Sequence, residues 1–353
     1  MGARIALALA LVLALAAAAQ PAGLAAKTPT PLFADDQPIR IALRAPISAI
    51  VRTPATTRTA RPATLTLIAP TAETHAIELS PRGLTRRLKI TCGFPPLRIE
   101  FSAKPAATSL FKGQKRLKLT THCRPSAQHQ QYVLLEYAAY RLFDVVSPYG
   151  LRARLATVDY SEADGRPVIS RLGFLVEDSD DAAKRNGLVE ARMPARISPA
   201  QLDPVTAARA ALFEYMIGNL DWSMRAGPRG DVCCHNFRLM AASATARSGL
   251  VPVPYDFDYS GFVSAPYAEP PAGIPVSSVR ERRYRGHCIH NAQAIQAAAE
   301  FRAKRPELMA VLASLPQLDA GRRQSATAYL DGFFRDIATD QDVTKRLLKT
   351  CIN

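Results

Sequence analysis

Acidic and amide side chains stand at the ends of apolar runs within residues 209–261, where an ordinary core would have apolar residues. Asp221 follows a run with helical character, and Asn236 precedes a short apolar segment. Asp256 and Asp258 end a run with strand character. Carboxylates two residues apart on a strand point to the same side, and an unpaired carboxylate is costly to bury. A divalent cation would remove that cost, so the spacing predicts a metal site.

The order of these side chains is an Asp in a loop, then an Asn, then a strand that ends in Asp. Kinase-type phosphoryl-transfer enzymes use this order: the first Asp orients the nucleophile, and the Asn and the later Asp hold magnesium. The alternative for Asp256 and Asp258 is a set of salt bridges to the many arginines of the chain. For Asp221 the alternative is a helix cap or a turn residue. His235 is expected to be a hydrogen-bonded loop residue rather than a base.

The elements that must position these residues divide the chain near Asp178. Alternating apolar and polar residues predict strands before this point, and the density of strands fits a twisted antiparallel sheet. A helix with Glu136 in its middle interrupts the strands. After Asp178 the pattern is helical, apart from the strand before Asp256. The predicted strands are 39–44, 63–68, 74–80, 96–101, 116–120, 154–160 and 168–178, and the predicted helix is 130–143.

These patterns predict an α+β fold of two lobes, with a β-rich N-terminal lobe at 38–178 and an α-rich C-terminal lobe at 179–353. A chain of 353 residues is long enough for two lobes around a cleft. Residues 1–26 combine a basic start, a short apolar segment and small residues, which indicates a signal peptide and its processing region. Residues 27–37 are expected to be a flexible lead-in. The protein is therefore expected to be periplasmic or secreted.

Export to an oxidising compartment favours disulfide bonds among the six cysteines. We expect one bond between Cys92 and Cys123. Adjacent cysteines seldom bond to each other, so one or both of the pair 233–234 are expected to bond with Cys288 and Cys351, in a connectivity that the sequence leaves open. Histidines beside several cysteines make a zinc site the alternative, but no CxxC pair with ligand spacing occurs.

The net charge of +15 comes mainly from four separate basic clusters. Separate clusters without interleaved aromatic residues argue against a nucleic-acid partner. The clusters are either solvated faces or surfaces that attract an anionic envelope lipid, an anionic polymer or a nucleotide phosphate. Neither a G-x-S-x-G nor an H-E-x-x-H motif occurs in the chain, which speaks against a hydrolase.

The order of elements resembles the protein-kinase-like superfamily in an atypical secreted form, and is similar to the spore-coat-protein-H kinase-like family. That family has an RG-containing strand-turn before a basic strand, here 81–83 and 97–101. It also has a helix, a strand pair ending in an acidic residue, here Glu177, and an Asp loop before a strand that ends in Asp-x-Asp. HipA-like kinases resemble residues 218–221 and 255–258, and choline-kinase-like enzymes carry a similar Asp-Phe-acidic-Tyr-Ser-Gly run.

By position, the resemblance implies that Asp221 is the catalytic Asp and that Asn236 is the magnesium-binding Asn. Asp256 takes the position of the metal-binding Asp of the Asp-Phe-Gly motif, and Asp258 is a second carboxylate near the metal. The implied cofactor is Mg or Mn, with ATP as the co-substrate.

Glu136 resembles the helix Glu that pairs with a phosphate-anchoring cation, and Glu177 joins it in the implied nucleotide-binding set. Lys118 precedes the helix most directly, whereas Arg98 lies on the strand similar to the family's basic strand, so both remain candidates for that cation. The chain departs from the pattern in two ways. It has no Gly-rich phosphate loop, and the gap between the catalytic Asp and the Asn is longer than in ordinary kinases.

The resemblance thus implies an exported, monomeric phosphotransferase that moves a phosphoryl group from a nucleotide, expected to be ATP, to an envelope or secreted acceptor. The acceptor would be a protein hydroxyl, a lipid headgroup or a glycan. The alternative is a non-catalytic kinase-fold scaffold that is stabilised by disulfides and binds an envelope partner. Scarce ATP outside the cytoplasm favours the scaffold, whereas retention of the Asp, Asn and Asp positions together favours the enzyme.

Overall fold

The first part of the chain forms a closed barrel of seven strands in the computed structural model, which describes residues 27–353. The strands are β1 (Ile39–Arg44), β2 (Arg61–Ala69), β3 (Glu73–Pro81), β4 (Leu97–Phe101), β5 (Arg116–Thr120), β6 (Ala153–Ser161) and β7 (Pro167–Val176). Their order around the barrel is β1-β2-β3-β4-β5-β7-β6. The predicted signal peptide at 1–26 lies outside the described residues.

A parallel strand pair closes the barrel. β1 runs parallel to β6, with Ile39 opposite Ala156, and the other neighbours are antiparallel. Buried and more exposed side chains alternate along β1, as expected for an antiparallel sheet. The sheet is nevertheless closed, because its first strand pairs with β6. Ile39, Ile41 and Leu43 are buried inside. One face of β1 therefore fills the barrel while both of its edges are hydrogen-bonded.

The second part of the chain is mainly helical. The helices of the whole described chain are α1 (Ile47–Val51), α2 (Ala127–Val146), α3 (Ser179–Arg185), α4 (Pro204–Ile217), α5 (Asn291–Ala303), α6 (Arg305–Ala313), α7 (Ala320–Asp336) and α8 (Asp340–Asp342). α4 begins where the Asp203 side chain accepts the backbone N–H of Thr206 at 2.8 Å. It ends at Gly218, whose φ is 62° and where a Cβ would lie 1.9 Å from the Tyr329 hydroxyl oxygen. Among residues 27–353, no helix is both long and apolar enough to cross a membrane.

A second, three-stranded antiparallel sheet delivers two candidate site residues. Its strands are β8 (Val189–Glu190), β9 (Phe237–Ala241) and β10 (Val251–Pro254), in the order β10-β9-β8. Phe237 lies opposite Pro254, so the residue before β9 meets the residue after β10. The backbone N–H of Tyr255 donates to the carbonyl oxygen of Asn236 at 3.0 Å. The hairpin therefore places Asn236 beside Asp256.

Two apolar cores hold this arrangement together. One fills the barrel, and the other joins α2 to α4, to the later helices and to the second sheet. α2 precedes the boundary expected near Asp178, yet its buried side chains belong to the core of the helical part. Phe143 of α2 packs on Phe213 of α4 with ring centroids 4.8 Å apart. α2 thus connects the two parts of the molecule, and its residue Glu136 is buried between them.

Disulfide bonds link all six cysteines, as expected for an oxidised chain. Cys92 bonds to Cys123, which was the predicted pair. The expectation for the other four was wrong, because Cys288 bonds to Cys351 and the adjacent pair 233–234 forms its own bond. The cause lies in the C-terminal segment: the N–H of Cys288 donates to the carbonyl oxygen of Ile352 at 3.0 Å. This contact brings Cys351 to Cys288 and leaves the adjacent pair without a distant partner.

Loss of the Cys288–Cys351 bond is expected to lower the free energy of unfolding by about 2–4 kcal/mol, because the bond closes a long loop. Its cysteines are 63 residues apart, whereas the 233–234 bond closes no loop. Urea unfolding of the variant with Cys288→Ser and Cys351→Ser measures the loss, and the variant with Cys233→Ser and Cys234→Ser is the matched control. Equal losses in the two variants, or six free thiols in the denatured unreduced protein, would contradict the assignment.

Candidate active site

A cavity of 610 Å³ opens between the barrel and the second sheet. The barrel contributes Arg82 and Lys118 to its lining, and the helical part contributes Asp221, Asn236 and Asp256. The structure therefore brings six of the eight residues selected from the sequence into one cleft, namely Arg98, Lys118, Asp221, Asn236, Asp256 and Asp258. A concave site with a few convergent polar groups is the usual form of a ligand site.

Asp221 lies at the centre of a small hydrogen-bonded group on the helical side of the cleft. His235 Nε2 lies 2.8 Å from Asp221 Oδ1. The side-chain amide of Asn236 donates to the Asp221 carbonyl oxygen at 2.7 Å and to Oδ2 at 3.1 Å. The hydrogen bond to Asp221 raises the pKa of His235, which favours the imidazolium. Asp221 and Asn236 are 15 positions apart, and the loop between them brings its ends together, so the long gap does not separate the two side chains.

Hydrogen bonds between side chains and backbone groups hold the loop that carries Asp221. The side-chain oxygen of Asn219 accepts the Asp221 N–H at 3.1 Å. The indole N–H of Trp222 donates to the Asn219 carbonyl oxygen at 2.9 Å. Arg285 donates to the carbonyl oxygens of Leu220 at 2.6 Å and Trp222 at 3.0 Å. The Asp221 carboxylate is therefore fixed in place while a third of its side chain stays exposed to the cleft.

Glu214 is a buried carboxyl group beneath this loop. It lies near the end of α4, is fully buried, and within residues 27–353 no hydrogen bond reaches either carboxyl oxygen. Burial raises its pKa well above the usual value, and the nearby Asp221 adds to the shift. Burial therefore disfavours the charged form of this group. The only sequence signal for it is a single Glu inside the apolar run 210–217.

Arg86 occupies the centre of the acidic side of the cleft, and the sequence analysis did not single it out. Its guanidinium lies 2.8 Å from Glu136, 3.0 Å from Asp256 and 3.3 Å from Asp258, and its side chain is only 8% exposed. Arg86 belongs to the basic turn after β3, but nothing in that turn distinguishes it from Arg87. Glu136 therefore pairs with neither Lys118 nor Arg98, the two cations considered for it.

Three carboxyl groups on one guanidinium leave an excess of negative charge. Burial raises the pKa of Asp258 to about 8, against the opposing effect of Arg86. Burial also raises the pKa of Glu136, with Arg86 again opposing it. Asp256 and Asp258 therefore do form salt bridges to an arginine, which was the alternative to a metal site. The cluster still holds more carboxylates than one arginine neutralises, so a further cation or bound protons would stabilise it.

The donor set fits a hard divalent cation at one edge of this cluster. Oxygen atoms of Glu136, Asp256 and Asp258 lie within 4.8 Å of one another. The Asp256 side chain is 36% exposed, while Glu136 and Asp258 are turned inward onto Arg86. Within the described chain, no hydrogen bond reaches the side-chain oxygen of Asn236. Carboxylate and amide oxygens are the ligands that Mg²⁺ prefers. Asp256, the most exposed of the three carboxylates, and Asn236 both line the cleft and are the candidate ligands.

The backbone at these two residues is unusual in the same way. Asn236 has φ 52° and Asp256 has φ 68°, both in the left-handed region that few side chains adopt. The N–H of Asp256 donates to the hydroxyl oxygen of Tyr140 at 3.1 Å, which ties this conformation to α2. Such positions cluster at functional sites, where surrounding contacts hold them in place.

Comparisons with known proteins do not assign the site. No known family model and no curated protein matches this chain. The likeness to kinase-like enzymes accordingly stays an expectation from the sequence motifs, and the function has to be judged from the cleft itself.

The barrel side of the cleft carries cations without acidic partners. Lys118 Nζ lies 5.1 Å from the centroid of the Tyr255 ring. Burial lowers the pKa of Lys118 to about 7, and the nearby Arg82 and Arg238 add to the shift. Among residues 27–353, no salt bridge reaches Lys118, Arg82 or Arg58, and all three line the cavity. This wall is suited to a bound anion.

Arg98 and Glu177, which the sequence analysis assigned to nucleotide binding, are both paired with charged residues outside the acidic cluster of Arg86. Arg98 lines the cavity but pairs with Glu100 at 2.6 Å on its own strand. Glu177 lies just after β7, where its carboxylate pairs with Arg185 at 2.9 Å and accepts the N–H of Arg152 at 3.0 Å. The cavity lining does not include Glu177. The structure thus gives Glu177 a place in the packing of α3 against the barrel rather than in the cleft.

Proposed function

We propose that this protein is a phosphotransferase of the kinase type, which moves a phosphoryl group from a nucleotide to a hydroxyl acceptor. The observation that carries the proposal is the cleft itself. It gathers Asp221, Asn236 and Asp256 from the helical part, with Lys118 and Arg82 from the barrel. Phosphoryl transfer depends mainly on positioning and on charge stabilisation, and these groups supply both. The two-lobed kinase-like fold and export to the periplasm or the exterior belong to the same proposal.

The position of each side chain in the cleft determines the role that we propose for it. Lys118 and Arg82 hold the phosphate oxygens, because their charges are not neutralised by acidic partners. A divalent cation, Mg or Mn, held by Asp256 and Asn236 would neutralise charge on the phosphates. Asp221 orients the acceptor hydroxyl and accepts its proton. His235, which is favoured as an imidazolium by Asp221, holds that carboxylate in one orientation.

The test of transfer is mass spectrometry of the purified mature protein after incubation with ATP and Mg or Mn. Autophosphorylation, or phosphate on a component of an added envelope extract, is the expected result. The extract is treated as three fractions, protein, lipid and glycan, because the acceptor class is open. Nucleotide binding without label on the protein or on any fraction would count against the enzyme.

A non-catalytic scaffold is the second candidate, and Arg86 is the observation that favours it. The guanidinium of Arg86 already neutralises part of the charge on the carboxyl groups of Glu136, Asp256 and Asp258. A protein that needs no metal is stabilised by such a contact, whereas a metal enzyme has to share these carboxylates with Arg86. The scaffold predicts no effect of Mg or Mn on thermal unfolding, with or without ATP.

The affinity for ATP is expected to fall as the pH rises through about 7, because Lys118 loses its proton there. A bound anion favours the ammonium form, so the pKa rises in the complex and the affinity is greatest below that pH. Calorimetric titration across this range measures the change. Lys118→Arg is the matched control, since arginine stays charged and removes this dependence while any ionisation of ATP itself remains. The same pH profile in both proteins would exclude Lys118 from the phosphate site.

A further inference from the structure

An exposed apolar segment borders the mouth of the cleft. Leu84, Leu88 and Ile90 are 71%, 47% and 84% exposed. They are three of the eight exposed large apolar side chains among residues 27–353, and they lie within seven consecutive residues. Leu84 also lines the cavity. We refer to residues 84–90 as the apolar lip. Large apolar side chains that are exposed and grouped in this way mark a candidate interaction site.

The apolar lip is held firmly rather than left loose. The Cys92–Cys123 disulfide closes the segment just after it. Arg124, the residue after that disulfide, donates to the carbonyl oxygen of Ile90 at 2.6 Å and to that of Thr91 at 3.1 Å. Arg87 points inward and donates to carbonyl oxygens of the neighbouring segment 52–60. The apolar side chains are therefore presented outward on a fixed backbone, without an entropy cost for ordering the loop on binding.

The chain segments around the apolar lip contain basic residues and no acidic ones. The carboxyl groups that contact the lip are those of Glu136, Asp256 and Asp258, which face its buried Arg86. The segments 52–62, 82–96 and 121–128, which these contacts join, contain no Asp or Glu. Their exposed cations are Arg52, Arg58, Lys89 and Arg124. The net charge of the whole chain, +15, has the same sign. Exposed apolar side chains with exposed cations in the flanking segments fit a surface that has an apolar interior and a negatively charged exterior.

We propose that the apolar lip docks the protein onto an anionic lipid bilayer. Apolar side chains enter the boundary between headgroups and acyl chains, while Lys89, Arg58 and Arg124 face the anionic headgroups. Because Leu84 is shared by the lip and the cavity, docking places the mouth of the cleft at the headgroup layer. This docking does not depend on phosphoryl transfer, since the proposed transfer assigns no role to the side chains of Leu84, Leu88, Lys89 and Ile90.

Co-sedimentation of the mature protein with vesicles tests the docking without nucleotide or metal. Vesicles of phosphatidylcholine with about one-third phosphatidylglycerol are compared with vesicles of phosphatidylcholine alone. We expect binding to the anionic vesicles that weakens as salt is added, and much weaker binding to the neutral ones. Failure of the wild type to bind the anionic vesicles, or equal binding to both kinds, would overturn the proposal.

Three variants locate the binding surface. Leu88→Ser with Ile90→Ser is expected to weaken vesicle binding about tenfold or more, because two inserted side chains are lost. Lys89→Glu reverses one charge and is expected to weaken it by a similar factor of about tenfold or more. Ile68→Ser is the control, since Ile68 is 43% exposed but lies at the far end of β2 from Arg61.

Thermal unfolding of each variant confirms that it is folded before binding is compared. Vesicle binding that both lip variants retain at wild-type strength, or that Ile68→Ser loses equally, would place the contact elsewhere and overturn the proposal. Binding of the wild type to an acidic protein, with no binding to either kind of vesicle, would overturn it as well and make the lip a protein-docking surface.

Discussion

Replacement of Arg86 by methionine is expected to lower the free energy of unfolding by about 3–5 kcal/mol at neutral pH, because it leaves buried carboxylates without their cation. Arg86 is the one guanidinium within 3.3 Å of Glu136, Asp256 and Asp258 in the described chain. Methionine keeps much of the volume, so the loss reports on charge rather than on a cavity. Urea unfolding at several pH values measures it.

The loss of unfolding free energy in Arg86→Met is expected to depend on pH. Without Arg86, the pKa values of Glu136 and Asp258 rise further above their unfolded values. A carboxyl group with a raised folded pKa destabilises the protein at high pH. That cost shrinks as the pH falls below the folded pKa and is gone below the unfolded pKa. The pKa of Asp258 is already about 8 with Arg86 in place. The deficit of Arg86→Met should therefore be larger at pH above that value than in mild acid.

Two further variants separate this cluster from ordinary surface pairs. Arg98→Met removes an arginine whose side chain is 41% exposed and paired with Glu100, and should cost no more than about 1 kcal/mol. Adding Glu136→Gln to Arg86→Met should recover part of the loss, because one uncompensated charge is removed. A small deficit that is the same at every pH would show that Arg86 does not neutralise these carboxylates.

Replacement of Asp221 by alanine is expected to reduce phosphoryl transfer by about 10²-fold or more while leaving nucleotide binding nearly intact. Asp221 stands on the acceptor side of the proposed chemistry, whereas Lys118, Arg82 and Asp256 are proposed to hold the nucleotide and metal. Loss of the orienting carboxylate should therefore affect turnover more than affinity. Mass spectrometry gives the transfer rate, and calorimetric titration with ATP gives the affinity.

The matched control for this variant is Asp231→Ala. Asp231 is an exposed carboxylate that lines the same cavity and forms no salt bridge within the described residues. If Asp231→Ala loses as much transfer as Asp221→Ala, then the effect comes from the charge of the cleft rather than from one positioned group. Loss of nucleotide affinity in Asp221→Ala would assign Asp221 to the nucleotide rather than to the acceptor.

Local patterns in the sequence predicted most of the strands and helices. The expectation of a single strand after Asp178 was wrong, because β8 and β9 pair with β10 in the second sheet. The strand expected at 39–44 is β1, and the helix expected at 130–143 lies within α2, Ala127–Val146. The turn that ends α4 at Gly218 and the strand before Asp256 also lie where the pattern placed them. These features depend on residues close together in the chain, such as alternating apolar side chains or a cap, so a single sequence contains the information.

Contacts between distant residues could not be predicted in the same way. Closure of the barrel depends on Ile39 meeting Ala156, and no local pattern encodes a parallel pairing over that separation. Arg86 reaches Glu136 across 50 residues, so the sequence offered Lys118 and Arg98 instead. The chain has many arginines, and only burial in the folded protein distinguishes this one from the rest.

The most direct test of the central claim is thermal unfolding of the mature protein with Mg and ATP. If the cleft binds a metal and a nucleotide, saturating ligand should stabilise the wild type, by about 2.7 kcal/mol at a ligand concentration about a hundredfold above Kd. Asp256→Asn should keep most of the fold stability, because Arg86 retains Glu136 and Asp258, but should show no such rise. A wild type whose unfolding temperature does not change with Mg and ATP, or a rise that Asp256→Asn retains in full, would contradict the proposal.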